Sequence, residues 1–436
     1  MYVGREGVYC MNLHEFVDLL DKKGMLVKVK KPVSVKYEIS TIVKMLKGKP
    51  VLFENVKGFS MPVVSNVCAT RDLVCLGLGI EKKDLIKKLI DAIDHPKEPK
   101  IKKAKDYEEL ACDLSKLPIL TYYPKDGGPY IASGIVIAKD KEYGINASYH
   151  RAMVIGKDKL VLRILERHLH EYMKRGLKEF AFCIGNPTSV LIAAAISAEL
   201  GKNELAIANA LRETNVIELD GHIVPESEIV MMCEFTGELA DEGPFLDLTE
   251  TFDIVRKQPV AHVKKIYAKK NALFHALLPG DLEHKILMGM PREPTIFREV
   301  SKVCECLDVY ITPGGCSWLH GAVKIRKKNE DDGKKAIEAA FKGHASMKHV
   351  FVVDEDIDIE NPLEIEWAMA TRFQGDKDMV IKTKEKGSSL DPSADPQTRE
   401  TTKVGFDLTK PLVTKGKDFS RPDLPMKINL ENYLKD

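Results

Sequence analysis

An acidic turn near the middle of the chain carries residues suited to proton transfer. Glu242 and Asp247 stand on either side of a Gly-Pro-Phe-Leu segment. Because Gly-Pro forces a rigid turn, this spacing can bring the two carboxylates toward one pocket. A carboxyl group near a second carboxyl group and an arginine can have its pKa tuned for general acid–base catalysis. An ordinary acidic turn is the alternative interpretation.

A second polar cluster, Asn146–Arg151, combines an amide, donors of several kinds and a fixed cation in one short segment. It lies just before an apolar strand, where a strand edge or a loop could present it to a ligand. Arg163 follows within an apolar strand, and then come His168 and His170. Two histidines two positions apart on a helix point in different directions, so at most one of them serves a given site. A surface or capping role is the alternative for each.

The elements that must position these clusters fall into three groups. The first hundred residues alternate helix and strand signals, beginning with a capped amphipathic helix at Leu13, which is typical of an α/β unit. Strand signals dominate from about Leu110 to Pro294 and indicate a barrel or a sandwich. A second α/β unit is predicted over 336–369, and the polar stretch from Lys382 is expected to be largely loop.

The composition is that of an ordinary soluble protein of two to three domains, with 436 residues, 44% hydrophobic and 30% charged. A formal net charge of +1 argues against a dedicated nucleic-acid binder or a basic membrane-surface protein. The apolar runs are too short to span a bilayer, and the start of the chain has no secretory signal pattern. The 9 cysteines are scattered without a C-x-x-C pair, which indicates reduced thiols and a cytoplasmic location.

The two clusters and several flanking motifs together resemble the UbiD-type decarboxylases, a family that uses prenylated flavin mononucleotide (FMN). The matches follow the order of the family over nearly the whole chain. They are Leu52–Gly58, Met61–Val63, Asn146–Arg151, Arg163, His168, Asn203–Arg212, Glu242–Asp247, Pro313–Ser317, Asp354–Asp356, Trp367–Arg372 and Lys403–Asp407.

The resemblance implies an α+β fold in three parts. These are an N-terminal α/β domain over residues 1–108, a central split β-barrel that binds prenylated FMN over 109–305, and a C-terminal α/β oligomerisation domain with a polar tail over 306–436. A homo-oligomer, a dimer or larger, is expected. The flavin prenyltransferase that supplies the cofactor must be a separate protein, because the whole chain is already accounted for.

The resemblance also implies a metal and cofactor site. Asn146, His168 and Glu204 match family residues around a divalent metal, usually manganese, that holds the cofactor phosphate, and hard oxygen ligands suit such an ion. His170 is the alternative to His168, and K⁺ is a further candidate ion. The other expected cofactor contacts are Tyr149, His150, Arg151, Arg163, Ile164, Leu165 and Lys403.

A catalytic set follows from the same resemblance. Asp247 is expected to donate the proton, Arg151 to pair with the substrate carboxylate, and Glu242 to orient Arg151. In the family the modified flavin supplies the electron sink for loss of CO₂ from an α,β-unsaturated acid, and the protein supplies orientation and a proton.

Departures from the ubiquinone-pathway members indicate a shorter, archaeal-type branch. Leu246 stands where many relatives have glycine, and the segment Leu278–Lys285 differs. This branch implies decarboxylation of trans-anhydromevalonate 5-phosphate to isopentenyl phosphate in a modified mevalonate pathway. The alternatives are decarboxylation of an aromatic acid such as polyprenyl-4-hydroxybenzoate, or a non-catalytic flavin-binding relative. An intact catalytic set argues against the last of these.

A phosphorylated substrate requires cations in its pocket. The sequence offers four candidates for contacting that phosphate, each of which could equally be a surface charge: His150, His284, Lys285 and Arg292.

Overall fold

The computed structural model describes residues 10–413 together with 416, 419, 421, 422, 426, 428, 429 and 433. The start of the chain, where no secretory signal is expected, and most of the expected loop after 413 lie outside the described residues. Within the described part of the chain, no helix is both long and apolar enough to cross a membrane.

The N-terminal part is an α/β unit whose first helix begins as predicted. The Asn12 side chain accepts the Glu15 N–H over 2.9 Å, and the Glu15 carboxylate accepts the Asn12 N–H over 2.8 Å, forming a capping box. The elements of this part are α1 (Leu13–Lys22), β1 (Val27–Val29), α2 (Glu38–Met45), β2 (Val51–Phe53), β3 (Val63–Ser65), α3 (Arg71–Leu78) and α4 (Leu85–Asp94).

Strands dominate the central part, with three short helices between them. Its elements are β4 (Ile101–Lys103), β5 (Tyr107–Leu110), β6 (Tyr130–Ile131), β7 (Ile135–Asp140), β8 (Gly144–Tyr149), β9 (Ala152–Val154), β10 (Lys159–Leu162), α5 (His168–Lys174), β11 (Glu179–Ile184), α6 (Thr188–Ala193), α7 (Glu204–Leu211), β12 (Val216–Leu219), β13 (His222–Pro225), β14 (Ile229–Glu242), β15 (Phe245–Leu246), β16 (Phe252–Asp253), β17 (Arg256–Lys269) and β18 (Phe274–His275).

One large antiparallel sheet organises this central part. Its strand order is β6-β9-β10-β17-β14-β11-β7-β8, and β5 also pairs with β17. The long strands β14 and β17 pair antiparallel from Ile229↔Ala268 to Glu242↔Arg256, with irregularities in register that include the stretch between Phe235 and Leu239. Strand β18 pairs in parallel with β3 and so joins the central part to the N-terminal sheet. The polar strand β8 lies at the sheet edge, as predicted for the segment that ends at Arg151.

The strands at the centre of this sheet are buried on both faces. On β11, Phe180 and Phe182 contribute to one apolar cluster, whereas Ala181 and Cys183 contribute to a second cluster packed against α1, α3, α6 and α7. This alternation follows from the two-residue period of a strand. Helices α6 and α7 are therefore held firmly against the sheet, next to the polar end of β8.

The C-terminal part is a second α/β unit. Helices α8 (Leu282–Gly289) and α9 (Glu293–Ser301) lead into it from the central part. Its own elements are β19 (Glu305–Ile311), β20 (His320–Arg326), α10 (Asp332–Gly343), β21 (His349–Asp354), α11 (Pro362–Arg372), β22 (Met379–Lys386) and β23 (Glu400–Asp407). The five strands form one sheet in the order β19-β20-β21-β23-β22. The α+β class in three parts is confirmed.

The stretch from Lys382 contains more regular structure than expected. Strands β22 and β23 pair antiparallel through this polar region, where the sequence predicted mostly loop. Strand β22 is at the sheet edge and is largely solvent-accessible, so polar side chains are tolerated there and periodicity does not reveal the strand.

Candidate active site

A cavity of about 530 Å³ opens beside the polar end of β8. Its volume is within the range of about 300–1,000 Å³ that is usual for small-molecule sites. Its walls come from β8, the start of α5, the segment between α6 and α7, the β15 turn and α8. The polar and charged side chains in its lining are Asn146, Ser148, Tyr149, His150, Arg151, Arg163, Arg167, His168, Ser197, Glu204, Asp247, His284 and Arg292.

Arg151, two positions after β8, binds three carboxylates. Its Nε and Nη2 donate to the two oxygens of Glu242 over 2.9 and 3.0 Å. Nη1 donates to Asp247 over 3.0 Å, and Nη2 also donates to Asp253 over 2.9 Å. Burial opposes the charge on Arg151, but its bonds to Glu242 and the nearby carboxylates raise its pKa above the ordinary value. Arg151 therefore remains a cation, with one Nη1 hydrogen unengaged among the described residues.

The two carboxylates predicted for catalysis have different environments. The Glu242 side chain is 0% exposed and also accepts a hydrogen bond from the Tyr130 hydroxyl over 3.1 Å. The Asp247 side chain is 20% exposed and lines the cavity. Its Oδ1 accepts the Leu248 N–H over 2.7 Å. Glu242 is thus an internal anchor for Arg151, and Asp247 is the carboxyl group that can reach a ligand.

The Gly-Pro turn brings both carboxylates onto one guanidinium, although only Asp247 also lines the cavity. Strand β14 ends at Glu242, and Gly243 takes a φ of 106° before β15 begins. Gly127 packs so closely on this turn that a Cβ there would collide with the Gly243 carbonyl oxygen. Phe245 of β15 then lies against Arg151, with 4.4 Å between the ring centroid and the guanidinium carbon.

Asp253 is a member of this cluster that sequence reasoning missed. Strands β15 and β16 pair over two residues, and Asp253 lies opposite Phe245 in this pairing. The Asp253 carboxylate accepts a hydrogen bond from the Arg151 guanidinium. Burial opposes ionisation of Asp253, but Arg256 and Arg151 lower its pKa to about 2. Strands of two residues are too short for periodicity to reveal, and the acidic residue alone gives no signal.

Two of the predicted metal ligands meet in the interior. Asn146 Nδ2 donates to Glu204 Oε1 over 3.2 Å, and the other Glu204 oxygen accepts the Ala147 N–H over 2.9 Å. Burial raises the pKa of Glu204 to about 7. A carboxylate at the start of α7 that is this costly to ionise, beside an amide side chain, is suited to a hard divalent cation.

A hydrogen-bonded chain fixes the Asn146 side chain. His150 Nδ1 lies 3.0 Å from the Arg163 carbonyl oxygen, which can only accept, so Nδ1 carries the proton. Burial lowers the pKa of His150 to about 4, so its Nε2 is a bare acceptor 3.0 Å from Ser148 Oγ. Ser148 Oγ also lies 3.0 Å from Asn146 Oδ1, so its single proton is donated either to Asn146 or to His150. When that proton goes to His150, Asn146 Oδ1 has a lone pair available for a cation. An amide oxygen with a free lone pair is a suitable ligand for a cation.

The structure distinguishes between the two histidines near this pair. His168 lines the cavity, whereas His170 is not among its lining residues. Burial and then the charge of Arg167 lower the pKa of His168, which favours the neutral form that binds metals. Within the described residues, no cluster of three or more His, Cys, Asp or Glu side chains has metal-binding geometry.

The remaining predicted cofactor contacts divide into two groups. Tyr149, Arg163 and Leu165 line the cavity. Ile164 is buried beside it, and its N–H donates to Gln258 over 2.8 Å. Lys403 does not reach the cavity, since it lies on β23 and its Nζ donates to the Ala345 carbonyl over 2.6 Å.

The cations expected near a substrate phosphate also differ in their placement. Lys285 is not part of the cavity lining, and its Nζ is paired with Glu250 over 2.6 Å. His284 lines the cavity and accepts the Gly280 N–H at Nδ1 over 3.0 Å, which leaves the proton on Nε2. Burial lowers the pKa of His284 to about 4, so it is a neutral donor. Arg292 lines the cavity as well.

Three consecutive family models cover most of the chain. They are described as the N-terminal, Rift-related and C-terminal domains of 3-octaprenyl-4-hydroxybenzoate carboxy-lyase, or UbiD, and match residues 17–93, 94–282 and 285–408. The chain therefore belongs to the UbiD family of carboxy-lyases, and the resemblance inferred from its motifs is confirmed.

Relatives with assigned names lie within this family. An anhydromevalonate phosphate decarboxylase of Methanocaldococcus jannaschii is 45% identical over 407 residues, covering 90% of this chain and 96% of the relative. The protein of the same name from Methanothermobacter thermautotrophicus is 39% identical, covering 92% of this chain and 97% of the relative.

Solved structures of the family agree with the fold. The UbiD-class enzyme HmfF from Pelotomaculum thermopropionicum in complex with FMN superposes with a TM-score of 0.92 at 33% identity, covering 97% of this chain and all (100%) of that one. An evolved dimeric form of HmfF in complex with prenylated FMN gives a TM-score of 0.87 at 32% identity, with the same coverage of 97% and 100%.

Proposed function

We propose that this protein uses prenylated FMN to remove CO₂ from trans-anhydromevalonate 5-phosphate, forming isopentenyl phosphate. The observation that carries this proposal is the Arg151–Asp247 pair on the wall of a cavity that is also lined by Asn146 and Glu204. Relatives named anhydromevalonate phosphate decarboxylase, 45% and 39% identical over nearly the whole chain, support the choice of substrate.

The cavity suits a flavin. The stretch Ala194–Ala198 gives a wall of small side chains, and Leu287 and Met288 add an apolar surface on α8. A flat ring system packs well against such walls, and the polar groups at the end of β8 can fix its orientation. Tyr149, Arg163 and Leu165 are the expected neighbours of the flavin, with the backbone of Ile164 behind them.

The phosphate of the cofactor belongs at the Asn146–Glu204 end of the cavity. A divalent ion, Mn²⁺ in this proposal, would be held there by Asn146, Glu204 and His168, and a K⁺ ion nearby is part of the same proposal. The buried Glu204 carboxylate and the lone acceptor of Asn146 match the preferences of a hard cation.

The chain's own residues then orient the acid and move one proton. Prenylated FMN, when bound, supplies the electron sink for the loss of CO₂. The free Nη1 hydrogen of Arg151 is available to the substrate carboxylate, and Glu242 holds the guanidinium plane in place. Asp247 delivers a proton to the carbon that has lost CO₂, because it is the carboxyl group of the cluster that lines the cavity.

Several features of the wider system belong to the same proposal. A separate flavin prenyltransferase supplies the cofactor, and the protein acts in the cytoplasm as a homo-oligomer, a dimer or larger. The C-terminal domain, residues 306–436, provides the oligomer contacts, while residues 1–108 and 109–305 form the N-terminal and flavin-binding domains.

A substrate panel tests the proposal directly. The protein is produced together with a flavin prenyltransferase, its flavin is identified by absorbance and mass, and CO₂ release is measured. We expect release from trans-anhydromevalonate 5-phosphate, and none from protein produced without the prenyltransferase.

Two other outcomes would contradict the proposal. Release from polyprenyl-4-hydroxybenzoate or another aromatic acid, with none from the phosphorylated acid, would assign the aromatic substrate class. No release from any acid by protein that carries the modified flavin would identify a non-catalytic flavin-binding relative.

A further inference from the structure

Arg292 is a partly buried cation that lines the cavity and has no anionic partner among the described residues. It lies in the turn between α8 and α9 and lines the cavity wall. Among the described residues, none forms an ion pair or a hydrogen bond with its guanidinium, and its Nε is buried and unbonded. Burial, followed by the charge of Arg167, lowers the pKa of Arg292 to about 10, so the side chain is still charged at neutral pH. A guanidinium that is largely removed from water and has no ion-pair partner costs folding free energy, unless a bound anion pairs with it.

The other cations suggested by the sequence are already accounted for. His150 is neutral with both ring nitrogens bonded, and Lys285 is paired with Glu250 outside the cavity lining. His284 is neutral and offers one N–H. Arg292 is therefore the cation in that set that retains a full charge for a ligand.

The position of Arg292 is fixed by its neighbours. Its guanidinium carbon lies 5.4 Å from the centroid of the Trp318 ring, and Trp318 Nε1 is held by Ser388 Oγ over 3.0 Å. The next residue, Glu293, is buried and ion-paired with Arg71 of α3. The guanidinium of Arg292 is stacked near an aromatic ring, and its backbone is held by the neighbouring Glu293 ion pair. Its side chain therefore needs little rearrangement to bind an anion.

Arg167 provides a second positive charge in the same cavity, since both side chains line it. Like charges in one cavity repel each other, and an anion bound between them offsets that repulsion. No described residue supplies a carboxylate to either side chain within ion-pair distance.

We propose that Arg292, together with Arg167, forms an anion subsite that takes the phosphate of the substrate. The inference rests on the proposed function and adds the residues that recognise a phosphorylated acid. The ligand of this subsite is a phosphate monoester dianion. Both the substrate and the flavin cofactor carry such a group. The Asn146–Glu204 pair already suits the flavin phosphate, which favours the substrate as the occupant of the Arg292 subsite.

Equilibrium binding to Arg292→Gln tests the subsite without requiring turnover. The probes are the saturated analogue of the phosphorylated acid and the same acid without its phosphate, each titrated into flavin-loaded protein. The wild type should bind the phosphorylated probe more tightly, and R292Q should weaken that probe about 10- to 100-fold while leaving the unphosphorylated acid unchanged. R292K should recover part of the loss, because it restores charge without the planar fork.

Arg298→Gln is the matched control, since Arg298 lies on the neighbouring helix α9, is 37% exposed and pairs with Asp94. R298Q should bind both probes like the wild type. Flavin content is measured in every variant, and loss of flavin from R292Q would assign the subsite to the cofactor phosphate and overturn the inference. An unchanged ratio of the two affinities in R292Q would overturn it as well.

The same experiment separates this inference from the proposed function. If the wild type prefers the phosphorylated probe through Arg292 but releases no CO₂ from the phosphorylated acid, the decarboxylation proposal fails and the subsite stands. If CO₂ is released and R292Q leaves both affinities unchanged, the subsite fails and the activity stands.

Discussion

Arg151 and Glu242 are joined by two parallel hydrogen bonds, from Nε to Oε1 over 2.9 Å and from Nη2 to Oε2 over 3.0 Å. A bidentate pair of this kind fixes the plane of the guanidinium as well as its position. Because Glu242 is completely buried, the pair acts as a rigid base for the rest of the cluster. Nη1 of Arg151 binds Asp247, so the buried carboxylate of Glu242 and the carboxylate at the cavity wall occupy different edges of one guanidinium.

Asp247→Asn should abolish turnover and leave the cofactor bound. The amide has nearly the same shape but cannot deliver a proton as a carboxylic acid does, and loss of a general acid costs about 10²- to 10⁴-fold in rate. We expect kcat to fall by that factor while flavin content, measured by absorbance after denaturation, stays at the wild-type level.

The matched control is Asp241→Asn near the end of β14, just before the same turn. Asp241 is 62% exposed and pairs with Lys257, so its loss should leave kcat close to the wild-type value. Normal turnover by D247N would remove Asp247 from the role of proton donor.

Glu204→Gln should weaken retention of both metal and flavin. The change removes the carboxylate charge that we propose binds the metal ion, and it places an amide next to the Ala147 N–H. We expect Mn²⁺ and flavin content after gel filtration to fall about tenfold or more, as measured by elemental analysis and absorbance. Glu199→Gln is the control, since this carboxylate just before α7 is 85% exposed. Unchanged metal content in E204Q would contradict the ligand role.

Much of the site could be predicted because its residues lie in short local motifs. The spacing of Glu242 and Asp247 around a Gly-Pro turn predicted their convergence. The polar segment ending at Arg151 was expected at an edge or in a loop, and the structure has it at the edge of the sheet. The family resemblance added Glu204, which lies 58 residues from Asn146 in sequence but contacts it directly. No periodicity or composition argument reaches across that distance.

The rest depended on pairings and partners that a sequence does not display. Asp253 reaches Arg151 through the register of a two-residue hairpin. Arg292 and Lys285 look equivalent as isolated cations, and the Glu250 ion pair is what separates them. Lys403 matches a family motif, yet its side chain bonds to a backbone carbonyl inside the C-terminal part.

Arg71→Met should destabilise the fold strongly. Arg71 of α3 is 2% exposed and is ion-paired with Glu293, which is 1% exposed, so the pair ties the N-terminal part to α9. Removing one partner leaves a buried carboxylate, which costs about 3–5 kcal/mol of unfolding free energy. Urea denaturation followed by circular dichroism measures the loss.

Two further variants make the Arg71 prediction specific. The double variant R71M/E293Q should recover part of the lost stability, because the fully buried carboxylate of Glu293 is removed, whereas the other partners of Arg71, Asp308 and Glu360, are partly exposed to solvent. Arg326→Gln removes an exposed arginine with carboxylate partners on either side and should cost less than about 1 kcal/mol. Equal losses in R71M and R326Q would show that burial of the pair does not matter.

Acidification should destabilise the protein between about pH 6.5 and pH 4, in part through His344. Burial lowers the pKa of His344 to about 4, and its Nε2 bonds to the Trp318 carbonyl over 3.0 Å. An unfolded chain binds the proton with a pKa near 6.5, so in this window the unfolded state holds more protons and stability falls as pH falls, by up to about 1.4 kcal/mol per pH unit. His344→Gln keeps a donor for the carbonyl and should reduce this slope, as measured by urea midpoints at pH 7.5, 6 and 5. The exposed His95 serves as the control, since H95Q should keep the wild-type slope. An H344Q slope equal to that of the wild type would mean that His344 is not the source of the acid sensitivity.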